Sequence, residues 1–253
     1  MRGKDDPLDA TRAARNALAR EGFALPRSGQ HQEALRVLLL ARRSAVDARR
    51  VALVQLRSLI ITAPVELREQ LRRLPLGELL RRCSRFRRSS SRTPDQLATV
   101  LALRSLAQRI EAATREAAEL EREILAHVRA VVPQLLEEPG VGPIVAAQLI
   151  VTWSHRDRVG SEAAFARLAG VAPLPASSGL TTRHRLSRGG DRQLNRALHT
   201  VILHRRQHDP ATRNYIAPRV CEGKSSSDAT RLLKRYLARH LYCVMQNATP
   251  LTT

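Results

Sequence analysis

The chain has 253 residues, 43% of them hydrophobic, which is enough for one large domain or two small ones with real cores. Its 43 Lys and Arg against 23 Asp and Glu give a formal net charge of +20, with a sequence pI ≈ 11.5, so a polyanion is the default partner. Aromatic residues are only 3%, which argues against base-stacking platforms and for contact with a phosphate backbone, and Arg far outnumbers Lys, as bidentate phosphate binding favours.

The amino terminus, MRGKDDPLDA, carries charges where a signal peptide needs an apolar core, and no window approaches ~18 uninterrupted apolar residues. Cys83, Cys221 and Cys243 are too few and too scattered for a disulfide framework or a zinc site. A cytoplasmic protein without membrane contact is expected. Residues 1–25 form a short polar start with one helical patch, Ala10–Ala19, closed by Gly22 and by Pro26 to Gly29.

Residues 31–133 are helical by pattern. Leu35, Leu39, Val46, Leu53, Leu56 and Ile60 recur at helical spacing on an arginine-studded background. Pro64 breaks that run, Val65 to Arg82 reads as one shorter amphipathic helix, and RRCSRFRRSSSRTP (81–94) reads as an exposed basic loop. Thr93 and Pro94 suit the N-cap and first turn of the next helix. There Leu106, Ile110, Ala113, Ala117, Leu120, Ile124, Val128 and Val131 make a heptad seam, whose partner is either the 31–60 helix or a second copy of the chain.

Beyond residue 133 the chain becomes richer in Gly, Pro and His. Gly140-Val141-Gly142-Pro143 stands directly before the apolar stretch IVAAQLIVTW, the shape of a helix-hairpin-helix, in which glycines admit a close phosphate and a helix N-terminus favours an anion. A tight turn between two core helices would look the same. SEAAFARLAG (161–170) reads as a helix capped by Ser161 and closed by Gly170. It leads to PLPASSGLTTRHRLSRGGDRQLNRAL (173–198), where Ser177, Ser178 and Gly179 are followed by Arg183, His184, Arg185, Arg188 and Arg192. A hydroxyl beside fixed positive charge suits attack on phosphate, although Ser-Ser-Gly is also a common loop tripeptide. Finally EGKSSSDATRLLKRYLARHLY (222–242) has Leu232, Leu233, Tyr236, Leu237 and Leu241 as the apolar face of a basic helix.

These carboxyl-terminal motifs together resemble the C-terminal domain of the bacterial insertion sequence one-ten transposases: PGVGPIVAAQLI, SEAAFARLAGVAP, PLPASSGLTTRHRLSRGGDRQLNRALH and DPATRNYIAPRVCEGKSSSDATRLLKRYLARHLY. That family joins a RuvC-like domain with an Asp-Glu-Asp-Asp metal site, a helical coiled-coil linker and a domain with a nucleophilic serine; its best-studied kind are recombinases guided by a bridge RNA. The resemblance implies a mainly α fold: 1–25 as the end of a RuvC-like domain, 26–133 as the coiled-coil linker, and 134–253 as a compact serine transposase domain. It puts the nucleophile at Ser178, with Ser177 as the alternative, and Lys4-Asp5-Asp6-Pro7-Leu8-Asp9-Ala10 is similar to the end of the family's acidic motif, making Asp6 and Asp9 two Mg²⁺ ligands.

Gly140, Gly142, Arg183, His184, Arg185, Arg188 and Arg192 are the nucleic-acid contacts so implied. DNA, a guide RNA and a homo-oligomer, dimer or tetramer, are the implied partners. The family's first Asp and its Glu would precede residue 1, so the chain reads as an N-terminally truncated, impaired transposase. The rival expectation is a non-catalytic DNA- or RNA-binding regulator that dimerises through its coiled coil. A ribosome-associated basic protein would explain the charge but not the serine motif.

Overall fold

The computed structural model describes residues 6–19, 25–89, 92–175, 184–185 and 189–248. Among them the chain is mainly α, with ten helices, one 3₁₀ turn and one two-stranded ladder of two residues per strand. Helix α1 (Asp6–Ala19) starts four residues before the expected patch, and each of its described side chains is exposed.

Two long helices make the body of the amino-terminal half, α2 (Gln30–Thr62) and α5 (Pro94–Val131). They run antiparallel, because His31 meets His127 and Arg42 meets Glu121 at 2.8 Å near one end, while Ala52, Leu56 and Ile60 cluster with Leu103, Ala107 and Ile110 towards the other. The seam of α5 is thus packed against α2 of the same chain. Small residues line both sides of it, Ala45 and Ala52 on α2 and Ala107, Ala113 and Ala117 on α5, which lets the two backbones approach closely. The register differs from the expected one: Val46 and Leu53 are half-buried beside buried Ala45 and Ala52, and Leu106, Leu120 and Val131 lie half-buried while Val100, Leu103 and Ala107 are buried.

At the far end Pro64 and Pro75 shape the turn. Pro64 holds Ala63 extended, at φ −64 and ψ 155, and ends α2. Pro75 splits the expected 65–82 helix into α3 (Val65–Leu71) and α4 (Leu76–Ser84), since proline cannot donate within a helix and pushes the residue before it out of the α region. Leu71, Leu79 and Cys83 then fold down as a small cap over the end of the α2–α5 pair. The basic loop is accordingly shorter than 81–94. Its first four residues are helical, and Cys83 is wholly buried, which pushes its thiol up to about 11. Helix α5 opens as expected, with a capping box between Thr93 and Gln96 and Pro94 in the first turn.

The carboxyl-terminal half is built around α6 (Pro143–Trp153), apolar on nearly all sides and therefore central. Against it pack α2, α5, α8 (Arg192–His208) and α10 (Ser226–Asn247), while α7 (Glu162–Leu168) packs on α10 and α9 (Pro210–Cys221) packs on α8 and α10. One continuous core joins Leu35, Leu39, Ile124 and Val128 of the long helices to Leu149, Ile150, Phe165, Leu198, Ile202 and Leu241. The buried face of α10 is rotated from the expected one: Leu237 and Leu241 are buried together with Ala238, Tyr242 and Met245, whereas Leu232 is 40% and Tyr236 57% exposed.

Ser154 closes α6 with φ 69 and ψ −72, a tight turn in which the His155 N–H reaches the Trp153 carbonyl at 3.1 Å. Its buried hydroxyl donates to the Ser28 carbonyl and accepts from the Ser28 N–H, both at 3.1 Å, and Arg158 donates to the Leu25 carbonyl. Residues 25–29 are thereby tied onto the carboxyl-terminal half. Ser154→Ala removes two hydrogen bonds from a strained residue and is expected to lower stability by about 1–2 kcal/mol in urea denaturation, with faster amide exchange at Ser28. Unchanged exchange at Ser28 would show that this tie carries no weight.

Candidate nucleic-acid interface and serine loop

One backbone close approach joins the ends of α7 and α8, the helices that precede and follow residues 171–189 in the chain. Ser161 caps α7 by accepting from the Ala164 N–H at 3.1 Å, and α7 ends at Gly170, in the left-handed region at φ +65. Against that end stands Gly190, where a Cβ would fall 2.3 Å from Gly170 N and 2.5 Å from Gly170 Cα. The contact is fixed by the Asp191 N–H donating to the Leu168 carbonyl at 2.7 Å and by the Asn195 side-chain amide donating to the Ala169 carbonyl at 2.8 Å. Asp191 also caps α8, its carboxylate accepting from the Gln193 and Leu194 amides.

Between these junction residues the chain makes one antiparallel ladder, β1 (Leu174–Pro175) with β2 (His184–Arg185). Leu174 pairs with Arg185 and Pro175 with His184, so the chain departs and returns at adjacent positions. Residues 176–183 connect the two strands. Ser177, Ser178, Arg183 and Arg188 lie outside the described residues, and His184 and Arg185 are placed by their strand.

Arg192 is the first residue of α8 and is exposed. It begins a stripe along one helix face, Arg192, Arg196, His199, Leu203 and Arg206, at alternating steps of four and three. None of its three arginines has a carboxylate partner among the described residues. Lys234 of α10 sits alongside, half-buried, its ammonium donating to Asn195 Oδ1 at 3.2 Å. Burial lowers the Lys234 pKa. Burial likewise lowers that of His199, with Lys234 and Arg206 pushing the same way. Arg192 and Arg206 lie about 21 Å apart along α8, so a row of anions rather than a single one would be needed to offset the charges of this face together. By contrast, neighbouring arginines are neutralised: Arg231 pairs with Asp228, Arg235 and Arg239 pair with Glu162, and Arg205 pairs with Glu138 at 3.1 Å.

The Gly140 turn stands elsewhere. Gly140 has φ +81, and a Cβ there would meet His204 Nδ1 at 3.1 Å and the Val201 carbonyl at 3.3 Å, so its close approach is to α8. Arg205 fixes the same turn by donating to the Pro139 carbonyl at 2.7 Å. Gly142 is exposed, with open space around it. The element before this turn is the 3₁₀ turn Pro133–Glu137 rather than an α-helix. Arg192 and His204 are twelve residues apart on α8, about 18 Å along its axis, so the glycine turn and the Gly170–Gly190 junction lie towards opposite ends of that helix.

Asp9 is exposed on α1, with the Arg12 guanidinium 3.9 Å away, and Asp6 opens the same helix. Mg²⁺ asks for near-octahedral oxygen ligands, of which Asp9 is the carboxylate described on this helix. No group of three or more His, Cys, Asp or Glu among the described residues is arranged to hold an ion. No helix among them is long and apolar enough to cross a membrane.

The motifs legible in the sequence do not include Arg196, His199, Arg206 or Lys234. Three of them carry a readable signal, basic side chains at three-, four- and seven-residue helical spacing from Arg192 after the Asp191 cap; Lys234 becomes visible only through the packing of α10 on α8.

Residues 132–217, from the 3₁₀ turn into α9, match the family described as Transposase IS116/IS110/IS902 family. Over 148 residues the chain is 33% identical to the Insertion element IS110 uncharacterized 43.6 kDa protein of Streptomyces coelicolor, a stretch that covers 57% of this chain and 36% of that protein. The chain thus spans about a third of the length of the curated relative it matches.

Proposed function

We propose that this chain is a DNA transposase of the insertion sequence one-ten type, cutting and rejoining DNA through Ser178, with Ser177 as the alternative nucleophile, under the direction of a guide RNA. The observation that carries this reading is the α8 stripe, whose arginines have no carboxylate partner among the described residues, following the β1–β2 ladder inside the matched segment. In the reaction the Ser178 Oγ–P bond forms and the ester bond from phosphorus to a deoxyribose oxygen breaks. The serine proton passes to a base or to water, and the departing oxygen takes up a proton. A second DNA hydroxyl then attacks the phosphoserine and restores the diester, so phosphoester bonds are conserved throughout.

Arg183, His184, Arg185, Arg188 and Arg192 would hold the phosphates during both transfers, joined by Arg196, His199, Arg206 and Lys234. A homo-oligomer is the working form proposed, and any divalent ion would need carboxylates beyond Asp6 and Asp9. The reading is tested by strand exchange on element-end DNA with guide RNA, run with and without a RuvC-like domain supplied in trans. Joined products are expected, and their absence from both reactions overturns it. A purely DNA- or RNA-binding regulator dimerising through the α5 seam is disfavoured, because α2 of the same chain covers that seam.

His199 gives this reading a pH signature. In the free protein its pKa lies below the ordinary 6.5, and a bound phosphate would raise it, so complex formation takes up a proton. Affinity for duplex DNA is therefore expected to rise as pH falls through that region, with tighter binding at about pH 6 than at about pH 8, and His199→Ala should flatten the profile. An identical profile in the variant would remove His199 from the contact surface.

A further inference from the structure

The cap at the far end of the α2–α5 pair belongs to none of the chemistry above, yet it carries the densest charge of the described chain. From Arg68 to Arg92 there are nine arginines and two glutamates, and between Arg81 and Arg92 no acidic residue at all. Arg73, Arg81, Arg82, Arg85, Arg87 and Arg88 are exposed and have no carboxylate partner among the described residues. Among the described residues only Arg68 and Arg72 have one, which they share in Glu69.

This surface is also held in shape. Leu71, Leu79 and Cys83 anchor α3 and α4 to the long helices, and beyond α4 the Arg92 guanidinium donates to the Arg87 carbonyl at 2.6 Å and lies 5.9 Å from the centre of the Phe86 ring. Like charges packed this closely repel one another, which a dense row of phosphates would reverse.

We infer that this cap is a second phosphate-backbone binding surface, separate from the α8 stripe and taking a duplex nucleic acid; the inference rests on the nucleic-acid reading above. Leu103, buried near the cap, and Ile124, buried in the carboxyl-terminal core, are 21 residues apart on α5, about 30 Å along the helix. One duplex reaching both surfaces must extend about one further helical turn, or the two surfaces hold two separate duplexes. DNA and RNA offer the same phosphates, and the cap's arginines grip them without reading sequence.

The test compares the full chain with Arg82→Gln/Arg85→Gln/Arg87→Gln/Arg88→Gln on a 30-bp DNA duplex and on an RNA duplex of the same sequence, over a range of salt. Affinity for at least one duplex is expected to fall about tenfold or more near 0.15 M salt, with log K against log salt shallower by about two to four. Loss on RNA alone assigns the cap to RNA, and loss on both assigns it to duplex backbone generally. The matching Arg→Lys quadruple variant keeps the charge and is expected to bind within about threefold of the parent.

Unchanged affinity and slope for both duplexes would overturn the inference. So would a loss shared equally by the lysine variant, or a change in self-association alone. An Arg192→Gln/Arg196→Gln/Arg206→Gln variant separates the two claims. If it weakens binding while the cap variant does not, only the cap fails; if neither weakens binding, the nucleic-acid reading fails with it.

Discussion

Ser178→Ala is expected to abolish covalent attachment of the protein to element-end DNA and to cut strand exchange about a thousandfold or more, while duplex affinity stays within about twofold of the parent. The asymmetry follows from chemistry. On the proposed mechanism, removing the hydroxyl deletes the atom that would become bonded to phosphorus, whereas the cations proposed to hold the phosphates remain, among them Arg192, Arg196 and Arg206 of the α8 stripe. Ser177→Ala is expected to keep the adduct and lose at most about tenfold, as a neighbour rather than a nucleophile would. Denaturing gels that resolve protein-linked DNA read both outcomes directly. Equal loss in the two variants would assign the effect to the loop as a whole, and survival of the adduct in Ser178→Ala would move the nucleophile to Ser177.

Gly190→Ala should be the most damaging single methyl added to the carboxyl-terminal half. The new Cβ would be 2.3 Å from Gly170 N and 2.9 Å from the Ala169 carbonyl carbon, and these are backbone atoms that cannot turn aside as a side chain could. The ends of α7 and α8 must move apart, straining the Asp191 N–H bond to Leu168 and the Asn195 amide bond to Ala169. A loss of about 3 kcal/mol or more is expected, a fall in Tm on the order of 10 °C for a chain of this size. Because β1 and β2 lie between Gly170 and Gly190, strand exchange should fail even at temperatures where the variant remains folded. Gly142→Ala is the matched control, since a Cβ there meets nothing within 4 Å, and it should be close to neutral. A Gly190→Ala protein as stable as the parent would show that the α7–α8 contact is looser than its geometry implies.

The sequence made the long helices legible because their apolar residues repeat over many turns, but it blurred which face of each is innermost. Val46 and Leu53 outrank Ala45 and Ala52 in hydrophobicity, yet the alanines are buried, since close approach of two helices selects for size over apolar area. The split between α3 and α4 was written in Pro75, which the amphipathic pattern of 65–82 overshadowed. On α10 the sequence pointed to Leu232 and Tyr236, and packing on α7 and α8 selected Ala238, Tyr242 and Met245 in their stead. Around the serine loop, the caps at Ser161 and Asp191 and the turn at Gly170 are local features; Ser161 and Gly170 were readable as such. The Gly190–Gly170 contact joins residues twenty apart, and no local pattern encodes it. The same holds for Lys234, whose place beside Asn195 depends on how α10 crosses α8.

The most direct measurement is a mass-spectrometric map of the covalent adduct. The protein would be trapped on a nicked element-end duplex that cannot religate, with guide RNA present and a RuvC-like domain supplied in trans, then digested and sequenced. The expected result is a nucleotide-bearing peptide from the 176–183 loop, modified at Ser178. A peptide modified on a residue outside that loop, or strand exchange without any protein-linked DNA, would contradict the serine mechanism.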